Sequence, residues 1–306
     1  MRPNRSDDVA PVHEFAPAKI NLTLHVAGRR EDGLHEIASL VVFATAGDRL
    51  TLDPTPTHAL NSADDPRVVV SGPFAGALSG ANILDHALAA IRARAPELAL
   101  GAVHLEKHLP VAAGIGGGSA DAGALLRAAR RVIGAGATGI DWQEIAAGLG
   151  ADVPACLAAR PLWMTGTGTV LTEVTGGGPA LAAVLVNPLA AVPADKTARV
   201  FRALGASAVP VGYVAPAAPR FSDLASVLAF MRARGNDLAC AAETVVPETG
   251  AALAALGALE DCAYAAVSGA GPTCFGIFPD ARAAETAQAR LAARHPTWWI
   301  AAATLG

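Results

Sequence analysis

The stretch that most constrains this chain is one with very little side chain, Leu109-Pro110-Val111-Ala112-Ala113-Gly114-Ile115-Gly116-Gly117-Gly118-Ser119-Ala120-Asp121. So few side-chain atoms let backbone N–H groups approach an anion closely. A helix that begins within the run adds its unsatisfied first-turn donors and the positive end of its dipole. Together these suit phosphate oxygens. Ser119 is placed to cap that helix, and its hydroxyl is a candidate contact to a phosphate or a bound magnesium ion. Asp121 favours the dipole but would repel phosphate, so it is expected to face away or to act through magnesium.

The flanks support a built loop rather than a flexible linker. Val103 to Leu105 reads as a strand leading in. Ala122, Leu125, Leu126, Ala129, Val132 and Ile133 then recur at helical spacing, with Arg127, Arg130 and Arg131 on the opposite face. Two familiar loops are excluded. No lysine follows the glycines as a P-loop requires, and Ser119 stands where a dinucleotide fingerprint needs its third glycine.

Elsewhere the pattern is strands and helices in mixture. Ile20, Leu22, Leu24 and Val26 alternate with Lys19, Asn21, Thr23 and His25, which predicts a strand over 15–26 with a polar face. A charged glycine turn spans Gly28 to His35. Strands are expected at Leu40 to Ala44 and Arg49 to Leu52, with Gly47-Asp48 turning between them. Asn82 can cap a helix running to about Arg94, and Asp141 with Glu144 has the capping-box spacing. Loops are expected at 176–179 and 210–219, a strand at 181–186, and a strand–loop–strand unit from Tyr264 to Phe278. The texture changes near Gly168, which suggests two domains in 306 residues.

Composition narrows the partners. A net charge of −4 without a basic run and only 5% aromatic residues leave no nucleic-acid footprint. The mean hydropathy of +0.38 comes from alanine-rich amphipathic stretches, not from a run long enough to span a membrane. Cys156, Cys240, Cys262 and Cys274 form no CxxC pair, and residues 1–12 lack the apolar segment of a signal peptide. The expectation is a soluble, cytoplasmic protein, monomer or homodimer, acting on small molecules, with no nucleic-acid or membrane partner.

Five separated stretches together resemble the GHMP kinase superfamily. They are Pro17-Ala18-Lys19-Ile20-Asn21-Leu22, Gly28-Arg29-Arg30-Glu31-Asp32-Gly33-Leu34-His35, the glycine loop, Gly150-Ala151-Asp152-Val153-Pro154, and Ser268-Gly269-Ala270-Gly271-Pro272-Thr273. The first two narrow the likeness to the branch that phosphorylates a cytidine-diphosphate-linked methylerythritol. The resemblance implies an α+β, two-domain GHMP kinase architecture. Residues 1–168 would form a ribosomal-protein-S5-like ATP-binding domain, and 169–306 a ferredoxin-like α/β domain. It also implies ATP and Mg²⁺ as cofactors, with nucleotide and acceptor meeting in a cleft between the domains.

Residue by residue, the resemblance makes Lys19 and Asp152 the catalytic pair and lets Asn21 help hold the substrate. An aspartate before Val-Pro is also a good helix cap, and Lys19 is equally an exposed strand lysine on spacing alone. ATP would lie on Pro110, Ala113, Gly114, Ile115, Gly116, Gly117, Gly118, Ser119 and Ala120, with Asn82 near the adenine and Lys107 and His108 lining the pocket. For Asn82 the alternative is helix capping, and for Lys107 and His108 it is plain surface exposure. His35 would contact the cytosine ring, and Phe201, in Thr197-Ala198-Arg199-Val200-Phe201, would supply an aromatic face beside Thr197. The family has a tyrosine before that histidine where this chain has Leu34, which offers apolar contact but no stacking. Thr169 stands where the family turn ends in glutamate, and Asn236-Asp237-Leu238 reads as a helix start. Two alternatives stay open: a related kinase of homoserine, mevalonate or a sugar, and a nucleotide-binding protein without catalysis.

Overall fold

A computed structural model describes residues 10–54, 68–78, 80, 82–96, 100–134, 139–174, 178 and 180–306. Residues 1–9 and most of the expected loop at 176–179 lie outside the described residues. The chain adopts the expected α+β class and packs into two units. One takes its described residues from 1–16, 47–111 and 118–158, the other from 17–46, 112–117 and 159–306. Both draw on β1 (Val12–Arg29) and β2 (His35–Asp53).

Two sequence expectations change here. β1 is longer than the 15–26 predicted, and β2 runs straight through Gly47-Asp48 where a turn was expected. The reason for the second lies in Asp48, whose carboxylate is fully buried and accepts hydrogen bonds from His108 N–H at 2.6 Å and Leu109 N–H at 2.7 Å. A polar pair that reads as a turn is here a strand residue recruited as an acceptor.

In the first unit, β3 (Val68–Ser71) runs parallel to β4 (Ala102–Glu106), with α1 (Ile83–Arg94) between them in sequence. β4 also pairs antiparallel with the end of β2, Arg49 opposite Glu106 through Asp53 opposite Ala102. Asn82 and Asp85 form a reciprocal capping box at the start of α1. The long helix α2 (Gly117–Ile133) buries Ala120 to Leu126, Ala128 and Ala129, a wider face than its period alone suggested. Arg127, expected on the polar face, bonds instead to Glu14 at 2.9 Å and to the carbonyls of Phe15 and Cys156, each at 2.6 Å. At the start of α3 (Trp142–Leu149), Asp141 caps as predicted, but Glu144 pairs with Arg94 rather than completing a box. α4 (Val153–Ala158) follows.

The second unit is built on antiparallel strands. The first part of β2 pairs with β5 (Leu162–Gly166), which pairs with β6 (Val170–Glu173). β7 (Leu181–Asn187) is followed by α5 (Lys196–Leu204), α6 (Leu224–Arg234), α7 (Ala239–Val245) and α8 (Glu248–Gly257). Then come β8 (Tyr264–Val267), β9 (Cys274–Phe278), α9 (Ala281–Arg294) and β10 (Trp299–Leu305). β7 sits between β9 and β10, and β8 flanks β9. Leu24, Val184, Val186, Val200, Leu256 and Phe278 belong to the core that closes these strands against their helices. No helix among the described residues is long and apolar enough to cross a membrane.

Gly123 shows why α2 can seat α4. A Cβ there would lie 2.7 Å from the carbonyl carbon of Cys156, so the two backbones touch only because residue 123 has none. Gly123→Ala is expected to destabilise the protein by about 1–3 kcal/mol, the usual cost of overpacking. Chemical denaturation followed by circular dichroism measures it, as a lower midpoint with an unchanged slope.

Candidate functional site

Three of the four polar-face residues of β1 are buried, while His25 is partly exposed. Lys19, Asn21 and Thr23 are each 5% exposed or less, although their alternation suggested a solvated strand face. Buried polar groups persist when hydrogen-bonded, and Asn21 and Thr23 are. Asn21 Nδ2 donates to Ser39 Oγ at 2.7 Å, and Ser39 Oγ donates to the Thr23 carbonyl at 2.6 Å. Asn21 N–H donates to Ser268 Oγ at 3.2 Å, and Lys19 N–H donates to the Ile115 carbonyl at 2.9 Å. β1 is thereby tied to both glycine loops of the second unit.

These two loops also touch each other. Gly114 has φ +78°, and a Cβ on it would overlap the Gly271 carbonyl oxygen and sit 2.8 Å from the carbonyl carbon. Thr273 N–H donates to the Ala113 carbonyl at 3.2 Å. Asn236 holds the far side, donating through Nδ2 to the carbonyls of Val267 and Gly269, both at 2.8 Å. Its Oδ1 accepts from Leu238 N–H, which agrees with the helix-start reading of Asn236-Asp237-Leu238.

The helix expected after the loop begins three residues earlier than a Ser119 cap would require. α2 starts at Gly117, so Ser119 and Gly118 lie in its first turn and Ser119 does not cap it. The glycines join the helix and leave first-turn N–H groups without side chains over them, which suits an anion better than a capped end would. Pro110, Gly118, Ser119, Ala120, Asn82, Lys107 and Asp152 belong to the first unit. Lys19, Asn21, Leu34, His35, Thr197, Phe201 and the loop from Ala113 to Gly117 belong to the second.

Lys107 is corrected most. Expected in the nucleotide pocket or on the surface, it is instead 2% exposed, donating to Asp48 at 2.5 Å and Asp121 at 2.6 Å. Burial opposes its charge, but the carboxylates of Asp121 and Asp48 outweigh it and raise the ammonium above its usual range. Asp121 is buried and accepts from Lys107 Nζ at 2.6 Å. Burial pushes its carboxyl well up, against the pull of Lys107 and with Asp48 adding to the rise. One ammonium balances one buried carboxylate, so the second favours its proton. Asp48 accepts from three donors, Lys107 Nζ and the N–H groups of His108 and Leu109.

Asn82 has its side-chain oxygen committed to Leu84 N–H at 3.1 Å, which is the capping alternative. Asp152 directly precedes α4, and its carbonyl accepts from Cys156 N–H at 3.1 Å.

In the second unit, His35 and Phe201 come together. Their rings stack with centroids 4.5 Å apart at 27°. Thr197 lies one helical turn before Phe201 on α5 and is exposed, while Leu34 is 54% exposed at the tip of the turn. Burial, helped by the Arg29 charge, lowers the His35 pKa and favours its neutral ring.

Lys196 was not foreseen. It opens α5, is 5% exposed, and donates to the Gly271 carbonyl. Burial alone pushes its ammonium down to about 8. Because that value lies below the ordinary 10.5, charging Lys196 costs folding of order 3 kcal/mol. The cost is full below pH 8, shrinks as pH rises toward 10.5, and vanishes above it.

For the first cluster, Lys107→Met should cost about 3–5 kcal/mol by stranding a buried carboxylate. Asp121→Asn, which copies a protonated carboxyl, should cost less than about 1 kcal/mol. Denaturation midpoints of the two variants check the contrast.

The model described as GHMP kinases N terminal domain matches residues 82–160, and that described as GHMP kinases C terminal matches 214–297. A curated 4-diphosphocytidyl-2-C-methyl-D-erythritol kinase of Methylobacterium radiotolerans is 46% identical over 94% of this chain and 96% of its own length. One from Dinoroseobacter shibae is 44% identical over 98% of this chain and 97% of its own. A crystal structure of 4-(cytidine 5'-diphospho)-2C-methyl-D-erythritol kinase superposes with a TM-score of 0.73 at 29% identity, covering 96% of this chain and 99% of that one. With glycine loops of the expected kind on both matched halves and relatives alike from end to end, the chain belongs to the GHMP kinases.

Proposed function

We propose that this protein is an ATP-dependent kinase that phosphorylates the 2-hydroxyl of 4-diphosphocytidyl-2-C-methyl-D-erythritol. The observation that carries the substrate is the 46% identity, over nearly the whole chain, to a relative of that name. The stack of His35 on Phe201 supports it, since these are the two rings that the resemblance assigns to the cytosine, and burial favours the neutral form of His35.

Phosphoryl transfer asks chiefly for positioning and for charge neutralisation. Asp152 takes the proton of the acceptor hydroxyl as its oxygen bonds to the γ-phosphorus and the bond to the ADP oxygen breaks. Lys19 supplies positive charge to the reacting groups, and Asn21 orients the acceptor. The glycine loop, from Pro110 to Ala120, offers backbone donors to the nucleotide phosphates. The donor set fits magnesium arriving with the nucleotide rather than in a cage of its own. Among the described residues no group of three or more His, Cys, Asp or Glu side chains could hold a metal, and Mg²⁺ ordinarily binds largely through water and phosphate oxygens. Ser119 would be its protein contact, and the ion would neutralise phosphate charge.

Leu34 favours a second reading. A leucine in place of the family tyrosine weakens the case for base stacking, so a different small alcohol such as homoserine, mevalonate or galactose could be the acceptor. Retention of both Lys19 and Asp152 speaks against a binding protein without catalysis.

ADP release by the purified protein with ATP and magnesium, tested against these four acceptors, is expected only with the cytidylyl acceptor. Turnover confined to another acceptor would contradict the substrate. Asp152→Asn should lower kcat about 10²–10⁴-fold with ATP affinity nearly unchanged. Activity within a few-fold of wild type would remove Asp152 from the chemistry.

A further inference from the structure

The chain buries three lysines, Lys19, Lys107 and Lys196, and the last two sit in opposite electrostatic settings. Lys107 has two carboxylates within 2.6 Å. Lys196 is almost as deeply buried but, among the described residues, has no carboxylate ion pair. The acid beside it in sequence, Asp195, is bonded to Arg199 at 2.7 Å and half exposed. Only burial enters the lowering of the Lys196 ammonium, with no offset from any acid. Its place as the first residue of α5 adds the positive end of a helix dipole, which also disfavours a cation. A peg for the Gly271 carbonyl needs no charge, because any neutral donor would serve.

What surrounds Lys196 suggests what the charge is for. Its ammonium reaches Gly271, the residue whose carbonyl lies against Gly114. Ser268, Thr273 and Asn187 line the same loop with hydroxyl and amide groups: Asn187 Nδ2 donates to Thr273 Oγ1 at 2.8 Å, and Ser268 Oγ accepts from Asn21. Two glycine loops, small polar side chains and one uncompensated ammonium meet within the second unit. An arriving anion would supply the missing counter-charge and restore the ammonium's ordinary protonation.

We propose that Lys196 is a phosphate-binding residue, which pairs with a phosphoryl oxygen of a bound substrate at the junction of the two glycine loops. The phosphoryl group belongs either to the nucleotide or to the diphosphate of the acceptor. The assignment to a substrate rests on the phosphoryl-transfer reading above, whereas anion binding itself does not.

Three measurements on the full chain test it, each on wild type, Lys196→Met and Lys196→Arg. Without ligand, Lys196→Met is expected to melt at or above the wild-type temperature, because an apolar side chain of similar length removes a buried charge. Inorganic pyrophosphate, titrated calorimetrically, should bind wild type and bind Lys196→Met at least tenfold more weakly, with Lys196→Arg within a few-fold of wild type. In steady-state kinetics the Met variant should raise one KM about tenfold. A rise in the KM of ATP assigns the nucleotide's phosphate, and a rise in that of the acceptor assigns its diphosphate. A less stable Lys196→Met with unchanged pyrophosphate affinity would overturn the proposal and leave Lys196 a structural peg. Absence of pyrophosphate binding to wild type would overturn it too. If no acceptor is turned over but pyrophosphate affinity still depends on Lys196, the substrate reading fails while the anion site stands.

Discussion

The backbone of Gly114 passes so close to the carbonyl of Gly271 that no side chain fits between them, and much of the second unit is arranged around that contact. Ala113 is joined to Thr273, Ile115 to Lys19, and Ser268 to Asn21, so each loop braces the other and both brace β1. Asn236 closes the back of the C-terminal loop from the start of α7. A glycine at residue 114 is demanded twice, by its positive φ and by the space its neighbour occupies. Backbone donors gathered this tightly are pre-aimed, which is how a protein stabilises phosphate charge without reorganising at the moment of reaction.

Around this frame the chain handles buried polarity in three ways. The face of β1 carrying Asn21 and Thr23 is satisfied locally through Ser39 and Ser268. In the first unit, Lys107, Asp48 and Asp121 neutralise one another, and Asp48 also fixes the N–H groups of His108 and Leu109 at the entry to the glycine loop. Lys196, among the described residues, is buried with no carboxylate ion pair. The first two arrangements hold structure together, whereas the third costs stability, and a cost of that kind is retained most readily where a ligand removes it.

Much of this was legible from residue order, and the failures have physical causes. The strand–glycine loop–helix sequence and the capping role of Asn82 follow from local spacing, and the structure has both. Period two told which β1 residues share a face but not that Lys19, Asn21 and Thr23 are covered, since burial depends on strands and loops far away in sequence. Gly47-Asp48 looked like a turn because the long-range donors that hold Asp48 in β2 are 60 and 61 residues away. Lys107 looked solvated for the same reason. Lys196 did leave a trace: it stands one helical turn before Val200, a fully buried position of α5, so helical period alone puts it on the inner face. A lysine on that face is the signal to follow.

The most direct test of the braced-loop account is the rate of ATP-dependent ADP release by Gly114→Ala, measured with the cytidylyl acceptor and magnesium beside a melting curve. A methyl group there must push Gly271 away, so turnover is expected to fall by about 10²-fold, the scale of a misplacement of roughly 1 Å, while the variant still melts cooperatively. Turnover within a few-fold of wild type in a folded Gly114→Ala would contradict the claim that close contact between the two loops sets the site.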